Sequence, residues 1–164
     1  MNKINVLLCC TGNICRSPMA EGALRELVKK AGYVDEIFID SAGTHAHYLG
    51  HPPDPRAQRA MLERGIDISG QRSRRVALAD FQRFDHILVM DGENYDALRF
   101  ICPRSQVHKI RYLLDFAPQF KTHHVPDPFH AEEVLFIRVR DMIEQAAEGL
   151  MEHLQEFLRN EKML

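Results

Sequence analysis

The chain has 164 residues, 45% of them hydrophobic and 27% charged, the size and composition of one domain able to bury a sizeable core. A net charge of −2 with both signs interspersed leaves no broad basic footprint for nucleic acid and no long acidic tail. No apolar run approaches the roughly 18 residues of a membrane span, and the first residues lack the apolar core and cleavage site of a signal peptide, so a soluble cytoplasmic protein is expected.

In chain order, Ile4–Cys9 is an apolar run that reads as a buried strand. A short turn with Gly12 and Asn13 follows. Arg16-Ser17-Pro18 then open a helix, Pro18–Ala31, in which Met19, Ala23, Leu24, Leu27 and Val28 fall at helical spacing and which ends at Gly32. Ser17 fits its N-cap and Pro18 its first helical position, where a missing N–H is harmless. Ile37–Ser41 is a second strand, followed by a Gly-, His- and Pro-rich loop from Ala42 to Pro53. Asp54 caps a helix that begins at Pro55, carries Ala57, Ala60, Met61 and Leu62, and ends near Gly65.

The basic cluster Arg72–Arg75 reads as a solvated charged face before a short helical stretch at Leu78–Phe84. His86–Met90 is a third strand, Asp91 caps a helix Glu93–Ile101, and Val107–Ile110 is a fourth strand. A long loop runs to Phe129. The last helix, Ala131 to Asn160, turns Val134, Ile137, Met142, Ile143, Ala146, Leu150, Leu154 and Leu158 toward the core. With no repeat or linker, residues 1–164 are expected to form a single domain. Strands separated by helices predict an α/β fold, a parallel sheet covered on both faces, with ligands at the carboxyl ends of its strands.

The turn after the first strand carries the chemistry. A compact loop running into a helix N-terminus points backbone N–H groups into one concavity and adds the positive end of the helix dipole, which makes a seat for a phosphate-sized anion. Cys10 opens this turn and Arg16 follows six residues later, so a thiol can lie beneath the anion while a guanidinium grips two of its oxygens. The same field favours the nucleophilic thiolate, and the Ser17 hydroxyl can donate to it. Asn13 suits a left-handed backbone position in the loop. A Walker A loop is disfavoured, because the turn holds no lysine.

Four cysteines, at 9, 10, 15 and 102, crowd three into one turn, a poor framework for structural disulfides. Cys9 should point to the other side of the strand from Cys10, as a small buried hydrophobe. The leaving group of a phosphate ester needs a proton, and Val125-Pro126-Asp127-Pro128-Phe129 offers a carboxyl stiffened by prolines on both sides. Taken alone, Asp127 is an ordinary turn aspartate. Histidines at 45, 47 and 51, and at 123, 124 and 130, read as solvated loop residues rather than metal ligands.

Cys10-Thr11-Gly12-Asn13-Ile14-Cys15-Arg16-Ser17-Pro18, after a strand and before a helix, resembles the low-molecular-weight protein tyrosine phosphatases, and the likeness extends over nearly the whole chain. The resemblance implies a four-stranded sheet of order 2-1-3-4 and hydrolysis of phosphotyrosine through a cysteinyl-phosphate, with no metal or organic cofactor. It makes Cys10 the nucleophile, Arg16 the anion clamp and Asp127 the acid and then the base. Thr11, Gly12, Asn13, Ile14, Cys15 and Ser17 become the loop, His47, Tyr48 and Phe129 the substrate walls, and Ser41 and Gln71 supports of Asn13. Cys15 has either a packing role or, as the family implies, a redox role through a reversible disulfide with Cys10.

Several positions depart from the family pattern. His47 stands where a tryptophan or tyrosine wall is usual, Phe129 and His130 replace a pair of tyrosines, and Gln71 replaces a common histidine. Ile14 fits an aryl phosphate, whereas relatives acting on phosphoarginine tend to carry threonine there. The expected partner is a tyrosine-phosphorylated protein such as a tyrosine kinase, met by a monomer or weak dimer. An arsenate reductase on the same fold would need further cysteines, of which only Cys102 lies beyond the loop, and a non-catalytic phosphotyrosine-binding module would have lost the thiol or the acid.

Overall fold

Strand β1, Ile4–Cys10, is the centre of the molecule. Its residues alternate between two hydrophobic cores, with Val6, Leu8 and Cys10 in one and Leu7 and Cys9 in the other, which is why the strand reads as continuously apolar. Residues 3–45 and 47–164 are described by this computed structural model. β2 (Ile37–Gly43) pairs with one edge of β1 and β3 (His86–Val89) with the other, and β4 (Ile110–Tyr112) lies beyond β3. All pairings are parallel, and the order β2-β1-β3-β4 is the one expected. The chain passes from β1 to one side and then returns to the other, so the carboxyl end of β1 is a topological switch point.

Helices α1 (Arg16–Ala31), α2 (Pro55–Leu62) and α5 (Glu133–Lys162) cover one face. On the other, α3 (Leu78–Arg83) and α4 (Gly92–Ile101) contribute Phe81 and Leu98. Helix α1 ends as expected at Gly32, whose φ of +79° suits a residue without a Cβ. Close backbone approach explains another glycine: at Gly149 of α5 a Cβ would collide with the Phe116 carbonyl.

Some boundaries differ from the sequence reading. The fourth strand is not Val107–Ile110: Arg104–Lys109 forms a 3₁₀ helix and pairing begins at Ile110, opposite Ile87. Val107 and Ile110 are three residues apart, a helical rather than an alternating spacing, so the pattern suited a turn. Helix α1 starts at Arg16, with Cys15 as an N-cap making no side-chain bond, so Ser17 is not the cap. Val134 is 71% exposed and does not belong to the buried face of α5, which begins two residues later than expected.

Candidate active site

The turn joining β1 to α1 is held from outside. The carbonyls of Cys10, Thr11 and Ile14 accept from the N–H groups of Thr44, His45 and Asp54 at 2.9, 3.0 and 2.8 Å, and that of Gly12 from the Ser73 hydroxyl at 2.9 Å. With its carbonyls so engaged, the turn presents N–H groups to its concave side, which is what an anion requires. No side chain caps α1, so its first amides are also open to an anion. Gly43, at the end of β2, permits this packing. A Cβ there would lie 2.6 Å from the Thr11 carbonyl oxygen and 3.2 Å from the Asn13 nitrogen.

Asn13 has φ +56°, in the left-handed region. Its amide donates to Ser17 Oγ at 2.7 Å and to Ser41 Oγ at 3.0 Å, and its Oδ1 accepts the Arg74 N–H at 3.0 Å. Ser41 donates in turn to buried Glu21 at 2.7 Å. Ser17 Oγ lies 3.0 Å from Cys10 Sγ. A buried chain of polar groups therefore runs from Glu21 to the thiol, and it fixes the strained turn. Ser41 joins this network as expected, but Gln71 does not, because its amide donates to the Pro18 carbonyl at 3.0 Å. The basic cluster is also more than a solvated face: Arg74 pairs with Asp40 and Asp80, each at 3.0 Å, and so holds the segment that contacts Gly12 and Asn13.

Arg16 is 1% exposed. It donates Nη1 to Asp91 Oδ2 at 2.6 Å and to the Val125 carbonyl at 2.9 Å, while Nη2 reaches Thr11 Oγ1 at 3.4 Å and stands 3.7 Å from Asp127 Oδ2. Burial works against its charge, yet Cys10, Asp91 and Asp127 hold the guanidinium above its ordinary range. The sequence reading assigned Asp91 only a capping role. It does cap α4, through Oδ1 at 2.9 Å from the Asn94 N–H, and its second oxygen anchors Arg16. Asn94 also contributes by donating to Thr11 Oγ1 at 3.1 Å.

These groups surround a cleft of about 160 Å³ lined by Cys10, Thr11, Gly12, Ile14, Cys15, Arg16, His47, Tyr48, Asp127, Phe129 and His130. Asn13 and Ser17 do not line it and support it from behind. Asp127 is carried between buried Val125 and Pro128, while its own side chain is half exposed and accepts the Phe129 N–H at 3.1 Å. Tyr48 and Phe129 have ring centroids 5.7 Å apart at 55°, so they touch and form one aromatic lip rather than two facing walls. The Tyr48 ring leans over Gly12, where a Cβ would come within 3.0 Å of it.

The other thiols are set apart. Burial, with Cys10 and then Asp54 adding to it, pushes the Cys15 thiol well above its usual range, and burial does the same to Cys9 on the opposite face of the sheet. Cys102 is on that opposite face too, remote from the outward disulfide relay that an arsenate reductase requires. Among the described residues no group of three or more His, Cys, Asp or Glu side chains is placed to hold a metal ion. No helix among them is long and apolar enough to cross a membrane.

An anion loop opening on a cysteine at the switch point of a parallel sheet is the arrangement of cysteine-dependent phosphoric monoester hydrolases. The profile of low molecular weight phosphotyrosine protein phosphatases matches residues 5–160, and the chain belongs to that family. It is 37% identical over 152 residues to the low molecular weight protein-tyrosine-phosphatase YfkJ of Bacillus subtilis, covering 93% of this chain and 96% of that one. It is also 37% identical over 152 residues to the chicken low molecular weight phosphotyrosine protein phosphatase, covering 90% and 94% of the two chains. Among solved structures, a protein tyrosine phosphatase from Entamoeba histolytica superposes with a TM-score of 0.89 at 37% identity, over 93% of this chain and 97% of that one. The protein is thus a cysteine-dependent protein tyrosine phosphatase acting on phosphoproteins.

Proposed function

We propose that Cys10 is the nucleophile, Arg16 the clamp on the transferred phosphoryl group, and Asp127 the acid and then the base of a two-step hydrolysis. The observation that carries this reading is that the thiol and guanidinium of one turn line a single cleft with the carboxyl of Asp127, which is distant in the chain. The phosphate oxygens take the N–H groups of Thr11–Ser17 and Arg16. The Cys10 sulfur forms a bond to phosphorus as the bond to the phenolic oxygen breaks, and that oxygen receives the Asp127 proton. Asp127, now a carboxylate, accepts a proton from water as it attacks the cysteinyl-phosphate, and phosphate leaves with the thiolate restored.

The aromatic lip of Tyr48 and Phe129, with Ile14 beneath and His47 and His130 at the rim, suits a phenyl ring at this depth. The substrate is accordingly a tyrosine-phosphorylated protein, a tyrosine kinase among the candidates, handled by a single domain over 1–164 as a monomer or weak dimer. Four free cysteines suit the reducing cytoplasm. Steady-state rates on phosphotyrosine, phosphoserine and phosphoarginine peptides test the reading. Phosphotyrosine is the preferred substrate, Cys10→Ser abolishes turnover, and Asp127→Ala slows it by roughly 10²–10⁴-fold. Full activity in Cys10→Ser would sink the proposal.

A further inference from the structure

Arg56 lies outside the cleft, yet it joins the two loops that must face each other across it. Its Nε and Nη2 bind the two carboxylate oxygens of Asp54 at 3.0 and 2.9 Å. Asp54 in turn gives its backbone N–H to the Ile14 carbonyl of the anion turn at 2.8 Å. On its other side, the guanidinium donates Nη2 to the Phe129 carbonyl at 2.9 Å and Nη1 to the Ala131 carbonyl at 3.1 Å. Phe129 then uses its own N–H to hold Asp127 Oδ1 at 3.1 Å. A continuous run of hydrogen bonds therefore leads from the anion turn through Asp54, Arg56 and Phe129 to the Asp127 carboxyl.

The junction is built to keep its shape. The guanidinium carbon sits 4.5 Å from the Phe136 ring centroid on α5 and 5.9 Å from that of Phe129, so aromatic faces bracket the planar group. Burial opposes the charge on Asp54, but the hydrogen bonds and charge of Arg56 keep its carboxyl below the usual carboxylate range. Only a planar fork with five donors can serve one carboxylate and two carbonyls together; an ammonium at the same point cannot.

We infer that Arg56 is a positioning residue for proton transfer: it fixes the Asp127 carboxyl over Cys10 and thereby sets how fast esters with basic leaving groups are cleaved. The inference rests on Asp127 being the acid. Misplacement of a catalytic group by about 1 Å can cost 10²-fold, and a leaving group that needs no proton is indifferent to it.

The test compares kcat/KM, which reports the step that breaks the ester bond, for phenyl phosphate and 2,4-dinitrophenyl phosphate. The proteins are the parent, Arg56→Lys, Arg56→Gln, Asp127→Ala and the double variant Arg56→Lys/Asp127→Ala, each checked for folding by thermal melting. Arg56→Lys keeps the stem and the charge, so it retains the fold. Arg56→Lys and Arg56→Gln are expected to lose about tenfold or more on phenyl phosphate and less than about twofold on the dinitrophenyl ester. Arg56→Lys adds no further loss to Asp127→Ala. Equal losses on both esters, or losses that multiply with Asp127→Ala, would overturn the inference and leave Arg56 a plain structural residue. Equal losses on both esters in Asp127→Ala itself would instead overturn the acid assignment, and with it the role given to Arg56.

Discussion

Replacing Asp91 by asparagine probes the anchor of Arg16 with little change in shape. The amide of Asp91→Asn would keep one oxygen, enough to cap α4 or to accept from the guanidinium but not both, and it would remove the charge that faces Arg16 at 2.6 Å. At an effective dielectric of about 20, unit charges at that separation attract by roughly 6 kcal/mol. Partial exposure of the site and turning of the amide so that its one oxygen faces the guanidinium recover part of this, so a net loss of about 3 kcal/mol is expected, near the range measured when one partner of a buried pair is removed. For a domain of this size that lowers Tm by about 6–12 °C.

The same variant should bind inorganic phosphate more tightly than the parent, because the Arg16 charge is then without its main internal counterion and an incoming anion supplies one. Val125 and Thr11 still orient the guanidinium. Chemical denaturation with and without phosphate measures both effects, since a ligand of the native state stabilises by mass action. An Asp91→Asn protein as stable as the parent, or one that binds phosphate more weakly, would refute the view that Asp91 neutralises Arg16 before substrate arrives.

Gly43→Ala places a methyl group 2.6 Å from the Thr11 oxygen and 3.1 Å from that of His45, both backbone atoms that cannot swing aside. Melting and steady-state assays should show a stability loss of about 1–3 kcal/mol together with reduced kcat/KM; unchanged activity would mean that the turn tolerates displacement. Burial, aided by nearby His153, lowers the pKa of His86 below its ordinary value. The unfolded chain therefore binds this proton more readily, and the stability from neutral His86 is complete above the ordinary histidine range and lost as pH falls through it. Denaturation curves across that window should be flatter for His86→Gln than for the parent.

The anion turn was legible because its parts are contiguous, so Cys10, Arg16 and the residues between them could be read from their spacing as an anion seat with a thiol, while finer roles came with the family resemblance. The strands were legible where burial on both faces made them continuously apolar, as in β1, and not in β4, a three-residue edge strand preceded by a helical turn. What escaped were residues with two simultaneous uses. Asp91 caps a helix with one oxygen and holds Arg16 with the other, and a capping pattern accounts for the residue so fully that no second role is suggested. For Ser17 the contact with Cys10 was expected and is present, whereas the N-cap role was not borne out and the bond from Asn13 was not foreseen. Gly43, Ser73 and Arg56 act through contacts between segments well separated in the chain, for which local periodicity carries no signal. Arg56 even looks like a routine first-turn arginine beside a capping aspartate.

The polar chain from Glu21 to Cys10 and the ring of donors outside the turn make the floor of the cleft common property of β1, β2, α1 and the Ser73–Arg74 segment. The rim is different, since His47 and His130 are exposed residues of surface loops. A substitution in the floor strains several elements at once, whereas one in the rim alters only what the opening touches. This partition lets the phosphoryl chemistry stay fixed while the opening is retargeted, and it marks the rim as the place to redesign selectivity without refolding the catalyst.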